Sequence, residues 1–199
     1  MDIRIVNKSE NPNPMYATEG SAACDLQANL PMRPIDFYDW HEKGDGVEIK
    51  EDADGKHDVI EILPNGRAKI PTGIFIEVTP GFHATIKSRS GNSLKLGLMV
   101  LNGTGTIDCD YRGEVCVLLY NSDNRNTISI THGMKIAQLA IAKTNKIVWV
   151  NGKLLNSTAR GNGGFGHSDK VNGTKLVNSP QSSQPTITEA KAVEVQIVK

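Results

Sequence analysis

Apolar residues in this chain recur at every second position in short runs, and turn-forming residues interrupt those runs every few positions. Ile3 to Val6, Gly73 to Val78, His83 to Lys87 and Glu114 to Tyr120 follow the pattern, as do Thr127 to Ile130, Lys135 to Ile141 and Lys146 to Val150. A period of two is the alternation of side chains across a strand, against about 3.6 for a helix. The interruptions are Pro80-Gly81, Asn102-Gly103, Asn121 to Asn126, His132-Gly133 and Asn151-Gly152. Many short strands punctuated in this way predict an all-β sandwich or barrel. One short helix is expected, near Asn92 to Leu96.

Charge narrows the partners. The 22 basic and 22 acidic residues cancel, so the chain lacks the basic excess needed for general nucleic-acid or membrane-surface binding. A few local cations still suffice for a small phosphate ligand. Cys24, Cys109 and Cys116 are an odd set without framework spacing, which reads as free thiols in a reducing compartment. Met1 opens an alternating segment, not a charged-then-apolar leader, and no apolar run approaches the ~20 residues of a membrane helix. A soluble, cytoplasmic or otherwise intracellular protein is expected.

Two segments stand apart. Between Ile35 and Leu63 lie ten acidic residues against three lysines. Within it, Val47 to Lys50 and Val59 to Ile62 flank Asp54-Gly55, a hairpin pattern. This region, about 32–61, reads as an acidic hairpin inserted into the main fold. Its tip half-resembles a calcium loop, but Lys50 stands at the first ligand position and no helices flank it, so a solvated turn is expected. Residues 169–199 form an extension whose Ser, Gln, Pro and Thr content predicts a flexible linker.

Several runs carry chemistry. Gly105 to Glu114 combines Asp108, Tyr111 and two glycines between expected strands, a rigid hairpin slot whose backbone can read a flat ligand while Asp108 holds a water. Arg89-Ser90-Gly91, at a strand end before the short helix, can cradle phosphate. Gln138 is a polar residue in an apolar run and requires a partner or ligand. Arg160 to Gly166 contains G-x-G-x-x-G spacing, yet no helix follows and no βαβ unit surrounds it, so it fails as a dinucleotide fingerprint. Arg160 offers a phosphate fork and Phe165 a stacking face, which suits a flap closing over a phosphorylated base. The five histidines show no zinc-ligand spacing.

In order, Ala22 to Leu26, Arg89 to Leu94, Asn102 to Glu114, Gly133 to Leu139 and Arg160 to Ser168 resemble the five motifs of the trimeric deoxyuridine triphosphate nucleotidohydrolase (dUTPase) family. The resemblance implies a distorted jelly-roll β-barrel over residues 1–168, a glycine-rich flap at 160–168, and a homotrimer with active sites shared between subunits. It implies Mg²⁺-dependent hydrolysis of dUTP to dUMP and pyrophosphate by water attack at the α-phosphorus, lowering dUTP and supplying dUMP for thymidylate synthesis. Asp108 would orient the water. Asn102 and the backbone of Gly105, Thr106 and Ile107 would read uracil, and Tyr111 would pack on the deoxyribose. Arg89, Ser90, Gly91 and Gln138 would hold the triphosphate, and Asp25 would join the metal's water shell. Arg160, Phe165, Gly166 and Ser168 would come from another subunit's tail.

Two other readings differ in chemistry: a non-catalytic dUTP-binding or regulatory trimer, and a related dCTP deaminase. The 32–61 region reads first as a solvated hairpin, with trimer reinforcement or a protein partner as the alternative; the C-terminal tail is open to the same alternative.

Overall fold

A computed structural model describes residues 1–31 and 47–164. The chain divides into a compact unit, Met1–Ile147, and a second unit, Val148–Lys199.

The first unit is all-β except for one short helix, in keeping with the expected jelly-roll class. Strands β1 (Arg4–Asn7) and β6 (Ile74–Glu77) pair, and β5 (Arg67–Pro71), β10 (Cys116–Asn121) and β8 (Leu98–Val100) form a second sheet in that order. A third sheet runs β11 (Ile128–Ile130), β4 (Asp58–Ile62), β3 (Val47–Glu51). The fourth runs β2 (Cys24–Gln27), β12 (Lys135–Lys143), β7 (Phe82–Lys87), β9 (Thr104–Ile107), all antiparallel neighbours. Alternation decides what is buried: Ala68 and Ile70 on β5, Val117 and Leu119 on β10, and Leu26 on β2 all turn into one core. Each fully buried aliphatic side chain contributes about 1.5–3 kcal/mol.

The hairpin of β3 and β4 forms as its sequence suggested, with Gly55 in the left-handed region at φ 64°. Its tip closes on itself, since the Lys56 N–H donates to Asp52 Oδ1 at 2.9 Å. Its second strand is no appendage, however. Ile60 and Ile62 are fully buried, and β4 pairs with β11 on its other edge. The period of two identifies β4 as a strand but cannot tell an inserted strand from a core strand. Residues 32–46 of the expected insertion lie outside the described residues.

The helix α1 (Ser90–Leu96) starts two residues before the expected Asn92 and ends at Gly97, whose φ of 70° and N–H bond to the Ser93 carbonyl make the αL cap. Two expected features differ. Leu98 to Asn102 and Val115 to Tyr120, the expected strands on either side of the 105–114 run, do pair with one another, as β8 and β10. The start of the run between them is not a turn, however: Thr104 to Ile107 forms β9, which crosses to pair with β7. Lys146 to Val150 forms no strand, and Val148, Trp149 and Val150 are 84–88% exposed. A strand needs a neighbour for its N–H and C=O groups, and among the described residues none pairs with this one. No described helix is long and apolar enough to cross a membrane. All three cysteines are free thiols.

Candidate active site

Leu26 anchors β2 in the core, so the neighbouring Asp25 faces the other side of the strand. Asp25 lies opposite Gln138 on β12. Its Oδ1 accepts from Arg89 Nε at 2.9 Å and from Gln138 Nε2 at 3.4 Å, and its Oδ2 pairs with Lys135 Nζ at 3.0 Å. Burial opposes ionisation of this carboxyl, but Lys135 and Arg89 together outweigh it and hold Asp25 below the usual carboxylate range. Arg89, the residue before α1, also donates from Nη1 to Asn92 Oδ1 and to the Lys135 carbonyl, at 3.3 and 3.2 Å. Ser90 and Gly91 are exposed in the first turn of α1. Asp25, Arg89 and Gln138 therefore meet in one cluster, and Gln138 finds its partner in Asp25. Lys135 and Asn92, which no local sequence signal marks, complete the cluster.

The second group is built on β9 and the turn after it. Gly105 lies opposite Ile86, and a Cβ there would stand 3.2 Å from the Ile86 Cβ. Asn102, Thr106 and Asp108 are exposed, and Ile107 is half-buried. The Tyr111 N–H donates to the Asp108 carbonyl at 3.2 Å, which closes the turn and fixes the backbone that carries the carboxylate. The Tyr111 ring lies over Gly113, and its hydroxyl donates to the Glu114 carbonyl at 3.0 Å. Arg112 Nη1 donates to the carbonyls of Cys109 and Tyr111. Glu114 Oε1 accepts the Thr72 and Gly73 N–H groups at 3.1 and 2.6 Å, tying the turn to the β5–β6 connection. That role of Glu114 was invisible in the sequence because its partners lie some forty residues away.

The two groups occupy opposite corners of one sheet. Register runs Asp25, Gln138, Lys87, Thr104 across its four strands. At ordinary strand spacing Thr104 is about 14 Å across from Asp25, and Asp108 lies about 13 Å further along β9. No single copy of this unit brings Asp108 to the Arg89 cluster.

In the second unit, Arg160 turns back on its own loop. Its Nε donates to the Gly163 carbonyl at 2.7 Å, and Gly161 sits at φ 53° with its N–H on the Thr158 carbonyl. Phe165, Gly166 and Ser168 lie outside the described residues.

Away from these groups, Glu10, His57 and His132 bring ligand-type atoms within 4.8 Å of one another, a juxtaposition that sequence spacing did not suggest. The two rings stack with centroids 4.1 Å apart. The Leu30 N–H donates to His132 Nδ1 at 3.1 Å. The neutral ring therefore carries its proton on Nε2, which opposes metal ligation there.

The dUTPase family model matches residues 56–169. This chain belongs to the dUTPase family. The match opens at the end of the hairpin tip and includes β4, in keeping with that strand's place in the core. The deoxyuridine 5'-triphosphate nucleotidohydrolase of Chlamydia muridarum is 38% identical over 156 residues, covering 78% of this chain and 89% of the relative. That of Chlamydia trachomatis matches to the same extent. Among solved structures, a mutant of the Staphylococcus bacteriophage 80alpha dUTPase with dUpNHpp aligns at a TM-score of 0.61 and 19% identity, covering 84% of this chain and 98% of that one. A mutant dUTPase of phage phi11 of S. aureus, solved with a structural Mg(II) ion, aligns at 0.59 and 18% identity, covering 79% and 100%. At that identity the likeness speaks for the fold.

Proposed function

We propose that this dUTPase-family chain hydrolyses dUTP to dUMP and pyrophosphate, in sites shared between the subunits of a homotrimer. The observation that carries the reading is the separation of the Asp25–Arg89–Gln138 corner from the Asp108–Tyr111 turn on one sheet. One corner has the chemistry for a triphosphate, the other for a base, a sugar and a water. A closed symmetric assembly brings one subunit's corner to another's turn.

Arg89, Ser90, Gly91 and Gln138 hold the triphosphate. Asn102 and the backbone of Gly105, Thr106 and Ile107 read the uracil edge, and unmatched buried donors and acceptors reject cytosine. Tyr111, held over Gly113, packs on the deoxyribose where a 2′-hydroxyl would intrude. Asp108 orients a water in line with the α-phosphorus and accepts its proton as the bond to the pyrophosphate oxygen breaks. Arg160, Phe165, Gly166 and Ser168 close over the nucleotide from another subunit's tail.

Asp25 fits Mg²⁺ only through water. Arg89 and Lys135 already engage both of its oxygens, and those cations oppose a direct metal bond. A remaining lone pair on Oδ2 can accept a hydrogen bond from a metal-held water. Bound Mg²⁺ supplies charge neutralisation on the triphosphate oxygens.

The test is pyrophosphate release from dUTP with Mg²⁺, set against dCTP, dTTP and UTP, together with solution mass. Trimer mass and preference for dUTP are expected, and Asp108→Asn should slow turnover by ~10²–10⁴. dUTP binding without pyrophosphate release, ammonia release from dCTP, or near-normal turnover by Asp108→Asn refutes the scheme.

A further inference from the structure

Lys135 reaches the phosphate corner by a departure from strand geometry. In a regular strand, residues three apart point to opposite faces, so Lys135 and Gln138 would be separated by the sheet. The pairing of β12 with β2 shifts between them: Lys135 lies opposite Gln27, and Ala137 opposite Leu26. Ile136 is the extra residue of a β-bulge, and Ile136 and Ala137 are both buried in succession. After the bulge Gln138 returns to the face that Lys135 occupies. Both side chains then reach Asp25, at 3.0 Å for Lys135 and 3.4 Å for Gln138.

Residue 135 touches the Arg89 anchorage twice. Its ammonium takes Asp25 Oδ2, and its carbonyl accepts Arg89 Nη1 at 3.2 Å and Asn92 Nδ2 at 2.9 Å. A carboxylate beside a guanidinium ordinarily takes it two-pronged, with both oxygens on the fork. Here Asp25 offers Arg89 one oxygen, through Nε. Among the described residues, Arg89 Nη2 donates to no protein group, while Nε and Nη1 are both committed.

We infer that Lys135 is a positioning residue. By occupying Asp25 Oδ2 it blocks two-pronged pairing of Arg89 with Asp25, and so keeps Nη2 presented to the substrate phosphates. The inference rests on the proposal that Arg89 holds the triphosphate. Without the ammonium, the fork of Arg89 turns onto both oxygens of Asp25 and its phosphate-binding edge is withdrawn.

The experiment is steady-state pyrophosphate release from dUTP by the full chain bearing Lys135→Met, Lys135→Arg, Arg89→Ala or Arg89→Ala with Lys135→Met. Lys135→Met should raise KM about tenfold, the scale of one charge-assisted hydrogen bond, with kcat within about twofold. Lys135→Arg should restore KM, because its guanidinium still donates to Oδ2. The double variant should match Arg89→Ala alone, because Lys135 acts through Arg89. Effects of the two substitutions that multiply mean that Lys135 meets phosphate directly, and overturn the inference. So does an unchanged KM in Lys135→Met while Arg89→Ala raises it. If Arg89→Ala leaves KM unchanged, the underlying assignment of Arg89 fails instead. Thermal melting accompanies each variant, and Lys135→Gln replaces Lys135→Met should the latter lose cooperative unfolding.

Discussion

Gly113→Ala tests how the Tyr111 ring is held. Gly113 is outside the left-handed region, so its backbone accepts alanine; the obstacle is the ring. A Cβ built there lies 2.3 Å from Tyr111 Oη, 2.5 Å from Cζ and 3.0 Å from Cε2. Ordinary contact begins near ~3.5 Å, so the ring must retreat by about 1 Å. That movement breaks the 3.0 Å bond from its hydroxyl to the Glu114 carbonyl. One such bond contributes about 1 kcal/mol, and the ring is 43% exposed, so little apolar burial is lost with it. Urea denaturation should therefore show a loss of about 1 kcal/mol. Activity should suffer more. A misplacement of about 1 Å in a positioning group costs up to ~10²-fold, so kcat/KM for dUTP should fall about 10- to 100-fold, with discrimination against UTP reduced. Adding Tyr111→Ala should remove the clash, so that the double variant matches Tyr111→Ala alone. Full activity in Gly113→Ala, or a stability loss of several kcal/mol that accounts for the whole defect, refutes the reasoning.

Asn121 is fully buried, and its amide N–H groups serve the carbonyls of Ile62, Leu63 and Asn126 while its Oδ1 accepts the Asp123 N–H. Asn121→Leu strands those groups and should cost about 3 kcal/mol by denaturant titration. His132 is held neutral to lower pH than a free histidine, first by burial and then by the neighbouring His57, with Glu10 and Asp52 pulling the other way. The unfolded chain therefore takes up this proton first, and stability should fall as pH drops below about 6.5 and through the lower folded value. His132→Asn keeps an acceptor for the Leu30 N–H but cannot titrate, so it should flatten that part of a pH–stability curve. An unchanged acid slope in this variant places the dependence elsewhere.

What was legible locally follows from what is local physically. Gln138 stood out because an amide in an apolar run must be answered, and Asp25 answers it. Tyr111 and Asp108 were readable because they share one short turn that closes on itself. The role of Glu114 has no local signal because its acceptor oxygen serves Thr72 and Gly73, and that of Lys135 has none because the bulge at Ile136 resets the face it shares. Phe165, Gly166 and Ser168 lie outside the described residues.

The alternation of apolar residues and the turn residues between the runs determined by themselves that this chain is built mainly from short strands. The order of its motifs determined its family. Only the tertiary structure decided that β9 leaves β8 for β7, that β4 belongs to the core, and that the Arg89 and Asp108 groups stand at opposite corners. The reason is that a strand's side-chain period states which face is buried but not which strand supplies its hydrogen bonds. Partner choice and register arise between residues far apart in sequence, and one extra residue in a ladder is enough to reverse which side chains meet.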